Sequence, residues 1–157
     1  MLRTLLTTVA LAIMLMLTSC GNNGCEETRE TYLLTQVKPT GRISIVSLNA
    51  WGLGHQTDSL MLSVGRPTEL EFILRPDTTE TRIRIEMTVN DNGDMFKYDD
   101  TLTIAYDPVP YFLNMECGCS MFFTLQDVSV TNHLLRTVKI KNKEITNEEQ
   151  INIVLEY

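Results

Sequence analysis

Histidine, tryptophan and positive charge are all scarce in this 157-residue chain, and each shortage closes a class of function. The two histidines, His55 and His133, lie far apart in the sequence. Neither forms an H-E-x-x-H pair, and no serine stands in a G-x-S-x-G elbow, so the motif-borne zinc-peptidase and serine-hydrolase chemistries are excluded. The 13 basic residues are outnumbered by 20 acidic ones, for a net charge of −7. That balance argues against nucleic acid and against electrostatic docking on anionic lipid heads. The longest apolar run, Leu5–Leu17, has 13 residues, against the roughly 20 that a spanning helix requires. Helical periodicity is also missing. Its one candidate, Thr146-Asn147-Glu148-Glu149-Gln150, is too short to hold a helix alone.

The short apolar run does fit an export segment. Arg3 and the terminal amine supply the basic start, Leu5–Leu17 the apolar middle, and Thr18-Ser19 the small residues before a cut. With Cys20 next, Leu17-Thr18-Ser19-Cys20 resembles the lipobox of bacterial lipoproteins. That resemblance implies a diacylglyceryl group on the Cys20 sulfur, cleavage of residues 1–19, and acylation of the new amine. Two or more acyl chains hold a protein stably on a membrane where one holds only marginally. Losing Arg3 leaves 12 basic residues against 20 acidic in the remaining 138, enough chain for one domain with a real core.

Residues 20–41 read as a lipidated terminus and tether, polar through Gly21–Glu30 and punctuated by Pro39 and Gly41. From 42 to 157 the apolar period is two. The cleanest example sets Ile83, Ile85, Met87 and Val89 against Arg82, Arg84, Glu86 and Thr88, a strand with one wet face. Asn90-Asp91-Asn92-Gly93-Asp94 is a turn signal, because Asn and Gly tolerate positive φ. Asn49–Gly54 reads as a loop, and Asp107-Pro108-Val109-Pro110 as a break between strands. About nine strands at short spacing predict an all-β fold, an antiparallel β-sandwich of immunoglobulin-like kind, with a small β-barrel as the alternative.

Three cysteines remain besides Cys20: Cys25, Cys117 and Cys119. An exported domain holds such residues mostly as disulfide. Cys117 and Cys119 are too close in an extended chain to bridge each other easily. The expected bridge therefore joins Cys25 to Cys117 or Cys119. It closes a loop of about 90 residues, worth about 4–5 kcal/mol on the chain-entropy view. The competing reading has Cys117-Gly118-Cys119 binding a soft metal or working as a redox pair. Against it, no further Cys or His stands at structural-zinc spacing. His55, near Asp58, is a conceivable general base, but both histidines read first as solvated loop residues. Asp91, Asp94, Asp99 and Asp100 do not follow the spacing of a calcium loop. Trp51 reads as packing rather than as a sugar platform. No metal and no cofactor is expected.

Asp58-Ser59-Leu60, Asp77-Thr78-Thr79 and Asp100-Thr101-Leu102 each resemble the acceptor triplet for O-glycans in envelope proteins of Bacteroidota. Composition alone gives about one such triplet. The resemblance makes Ser59, Thr78 and Thr101 the candidate glycan sites.

The chain resembles, over most of its mature length, a family of small Bacteroidota lipoproteins of unknown function. The residues that carry the likeness are the lipobox, Cys25, the alternating middle, the run from Pro110-Tyr111-Phe112 into Cys117-Gly118, and the closing hairpin from Thr131-Asn132 to Ile151–Tyr157. In that family an aromatic residue commonly follows Cys-Gly, whereas this chain has Cys119. The departure makes Cys117 the better partner for Cys25, with Cys119 as the alternative, and leaves the role of Cys119 open. The family carries no established activity, so the likeness implies location and fold. The expectation is a non-enzymatic binding or assembly module, anchored in the outer membrane through acyl chains on Cys20 and exposed to the periplasm or the cell surface. Its partners would be the membrane and other envelope proteins. The alternative is a thiol- or metal-handling envelope protein using Cys117 and Cys119.

Overall fold

Alternating apolar residues bury one face of a strand and wet the other, so two sheets must meet on their apolar faces. A computed structural model describes residues 30–54 and 59–157. Ten strands run in chain order: β1 Leu33–Lys38, β2 Ser44–Leu53, β3 Ser59–Gly65, β4 Glu69–Phe72, β5 Glu80–Asp91, β6 Asp94–Asn114, β7 Gly118–Val130, β8 Thr137–Ile140, β9 Glu144–Ile145 and β10 Ile153–Glu156. They form a four-stranded sheet ordered β4-β1-β10-β8 and a six-stranded sheet ordered β3-β2-β5-β6-β7-β9. Neither sheet closes on itself, so the fold is the expected sandwich and not the barrel. Among the described residues there is no helix, including at Thr146–Gln150, where the Thr146 hydroxyl accepts the Glu148 amide at 3.2 Å in a bend.

The core is the seam between the sheets. Ile83, Ile85, Met87 and Val89 of β5 and Leu102, Ile104 and Tyr106 of β6 are all buried. Leu33, Phe72, Ile153 and Leu155 of the small sheet belong to the same apolar cluster. A fully buried side chain of this size contributes about 1.5–3 kcal/mol, so the seam is the main source of stability. The β5–β6 turn has φ of +53° at Asn92 and +104° at Gly93, the two left-handed residues that a tight hairpin between twisted strands needs.

Four features depart from the sequence reading. The stretch taken as tether contains β1, which pairs in parallel with β10 and antiparallel with β4. Its inward residues are only Leu33, Thr35 and Val37. Six residues with a threonine in the middle offer too little periodicity to be read without their distant partners. β2 also runs on through Asn49–Leu53, with a bulge against β3 between Ala50 and Trp51. Ten strands replace about nine.

The fourth departure is the largest. Pro108 and Pro110 do not break the chain; β6 is a single strand of 21 residues. The reason is that β5 pairs with β6 only as far as Glu80↔Ala105. Beyond that point β6 has β7 on one side and, among the described residues, no strand on the other, with Pro108↔Phe123 and Pro110↔Met121 in register. A proline is tolerated where its missing N–H faces an open edge.

Two buried polar side chains tie loops to the core. The Tyr106 hydroxyl donates to the Arg75 carbonyl at 2.9 Å and accepts the Arg75 amide at 3.1 Å. Its third contact is the buried Thr81 hydroxyl at 2.6 Å. Asn152 bridges the sheets: its Oδ1 accepts the Leu34 amide at 3.0 Å, and its Nδ2 donates to the Glu144 carbonyl at 2.9 Å. Tyr106→Phe keeps the ring and its edge-on contact with Phe123 but strands three polar groups. The expected loss is about 1–3 kcal/mol in urea unfolding, with the fold retained.

Candidate functional site

Past Ala105 the β6–β7 hairpin continues without β5, and its turn spans residues 115–117. Asn114 builds that turn, its Oδ1 accepting the Glu116 amide at 2.9 Å and the Cys117 amide at 2.7 Å. Gly118 follows with φ of +72°, a conformation that costs most residues other than Gly and Asn about 1–2 kcal/mol. The glycine of Cys-Gly-Cys is thus favoured by the turn. It also separates the two sulfurs: Cys117 is buried, and Cys119 is exposed on the strand in register with Phe112.

Cys117 is disulfide-bonded and Cys119 carries a free thiol. The other half of the Cys117 bridge lies outside the described residues, as do Cys20 and Cys25. Of the two thiols the metal reading needs, one is therefore committed to a disulfide.

The hairpin surface is unusually apolar. Met115 is 90 % exposed, Phe112 56 %, Tyr111 50 % and Val109 42 %. Tyr111 stacks on Phe122 with ring centroids 4.6 Å apart. Val109, Tyr111, Leu113 and Phe122 line an open groove whose other wall carries Glu144 and Glu148. Exposed apolar side chains gathered on one hairpin make it the candidate contact surface.

The other sequence candidates scatter. His55 and Asp58 fall outside the described residues. Ser59 is exposed at the start of β3. The Thr78 hydroxyl is held by its own turn, accepting the Glu80 amide at 3.3 Å. Thr101 is half-buried on β6, behind an acid that is wholly engaged. Trp51 lies under the Arg84 guanidinium, 5.4 Å from the ring centre, and Arg84 also pairs with Asp99. Asp91 and Asp94 flank the β5–β6 turn. Among the described residues no three potential metal ligands converge.

Asp100 is the residue whose role the sequence reading missed. Its side chain is fully buried. Oδ1 accepts the His133 amide at 2.9 Å and the Thr131 hydroxyl at 2.8 Å. Oδ2 accepts the Leu134 and Leu135 amides, both at 2.9 Å. His133 is thereby explained as well, with Nδ1 3.2 Å from Asp100 and the ring otherwise solvated. A signal for this existed: position 100 shares the inward face with 102, 104 and 106, so an acid there needs partners.

Burial pushes the Asp100 carboxyl up, but the amides of His133, Leu135 and Leu134 and the Thr131 hydroxyl outweigh it and hold the group below its ordinary value. A carboxylate depressed on folding stabilises fully above its unfolded pKa and loses that contribution as pH falls through the folded one. Asp100→Asn turns one acceptor oxygen into a donor facing two amides. It is expected to cost about 2–3 kcal/mol at pH 7. The gap to the parent should narrow as pH falls below about 4, read by urea unfolding at both pH values.

No curated protein and no solved structure matches this chain. A family model does, from Ile45 in β2 to Tyr157, and the matched stretch takes in both strands of the apolar hairpin and its Cys-Gly-Cys turn. The chain belongs to a family of unknown function, DUF6452.

Proposed function

We propose that this chain is a lipid-anchored envelope protein, held in the outer membrane by acyl chains on Cys20, and that its sandwich is a non-catalytic binding or assembly module. The observation that carries the reading is Leu17-Thr18-Ser19-Cys20 at the end of a 13-residue apolar run behind Arg3. That run is too short to remain as an anchor in its own right, so a lipid on Cys20 is what keeps the mature chain at the membrane. Among the described residues no helix is long and apolar enough to cross one.

The disulfide follows from the same reading. A sulfur alkylated with lipid cannot also bridge, and Cys119 is free, so Cys25 is left as the partner of Cys117. The bridge ties the segment behind the lipid to the turn of the long hairpin. The metal-handling alternative needs Cys117 as a thiolate, which a disulfide denies it.

One experiment reads both claims. A non-reducing peptide map of the mature protein is expected to return Cys20 as the first residue, carrying diacylglyceryl, and a peptide pair linking Cys25 to Cys117. Cys20→Ala is expected to release the protein from sedimenting envelopes. An unmodified Cys20, or undiminished sedimentation of the alanine variant, contradicts the anchor.

A further inference from the structure

Four of the large apolar side chains that the described surface exposes, Val109, Tyr111, Phe112 and Met115, fall within seven residues at one end of the molecule. We infer that this hairpin tip seats in the lipid interface beside the acylated terminus, so that the protein meets its own membrane at two points. The inference rests on the lipoprotein reading above.

The chain's length limits how far the tip can stand from the lipid. The described chain starts on this same ribbon, where the Thr31 hydroxyl donates to the Met121 carbonyl at 2.7 Å, and Met121 is the register partner of Pro110. From Cys20 to Glu30 is ten residues, about 35 Å at full extension. With Cys25 bonded to Cys117 only five residues separate the acylated cysteine from the hairpin turn, about 17 Å. A turn held that near the headgroups has its exposed residues within reach of them.

The chemistry of the tip selects the kind of contact. No lysine or arginine occurs between Lys97 and Arg136, a stretch that contains both strands of the ribbon, while Glu116 sits at its turn. Attraction to anionic lipid is therefore not what would hold it. Tyrosine instead suits the boundary between headgroups and chains, where its ring is buried and its hydroxyl stays wet, while phenylalanine, valine and methionine are apolar enough to enter the chains. Binding should thus be as strong on neutral phosphatidylcholine as on anionic vesicles, and insensitive to salt.

The rest of the strand provides an internal control. Met95 lies at the other end of β6 and is 54 % exposed, twenty positions and about 65 Å of strand from Met115. Both methionines are exposed, so tryptophan in place of either leaves the core untouched. The test uses full-length lipidated protein in a Trp51→Phe background, carrying Met115→Trp or Met95→Trp, in phosphatidylcholine vesicles with brominated chains. Tryptophan at position 115 is expected to be quenched at least about twofold relative to unbrominated vesicles. Tryptophan at position 95 is expected to keep its intensity.

Equal quenching by brominated chains at the two positions, or none at either, in protein whose mass shows acylated Cys20, overturns the seating and leaves the anchor standing. Quenching at position 115 that disappears in high salt also overturns it, because the contact would then be electrostatic. A bare Cys20 by mass overturns the anchor and the seating together.

Discussion

The inward faces of β5 and β6, pressed on β1, β4 and β10, form the one contact that every other feature of this molecule needs. Leu102, Ile104 and Tyr106 from β6 meet Ile83, Ile85 and Met87 from β5, all at or near zero exposure. The fully buried series on β6 begins with Asp100 and ends with Tyr106, so this part of the apolar seam has a polar group at each end. Asp100 gathers the loop of Thr131, His133, Leu134 and Leu135. Tyr106 gathers the loop at Arg75. A slip of one residue would turn the whole series outward and strand both sets of partners. Burial thus supplies the stability, and the two polar ends fix the register.

That register also sets where β6 leaves the core. β5 begins at Glu80, opposite Ala105, and β6 and β7 go on past it, burying Tyr106, Phe123 and Leu125 before the exposed tip. The prolines at 108 and 110 suit the resulting open edge, and they also blunt it against pairing with another chain. What the ribbon exposes is aromatic and aliphatic, and its turn holds a bonded cysteine. A strand continuous from core to tip makes the hairpin a stiff extension of the sandwich rather than a loose loop.

The alternation of apolar and polar residues made the fold class legible, and Ile83 to Val89 shows why. A strand that is buried on one face and antiparallel to both neighbours carries its geometry in its own residues. β1 was not legible, because its pairing with β10 joins the two ends of the chain and leaves little local trace. The Pro108–Pro110 segment was misread because a proline breaks a central strand but not an edge, and edges are a property of the assembled sheet. Asp100 was visible as an inward acid, yet its donors come from more than thirty residues away. The acid in front of Thr101 holds a loop through the Thr131 hydroxyl, a role that the triplet alone does not reveal.

Amide hydrogen exchange, with the acylated form proposed above, tests the two-part character of β6 most directly. Moved from detergent-free solution of the Cys20→Ala form onto vesicles as the acylated form, residues 109–122 should gain protection while 83–89 and 100–106 stay as slow as before. Protection that rises evenly along β6 and β7, or not at all in 109–122, would contradict a rigid core with a tip that rests in lipid.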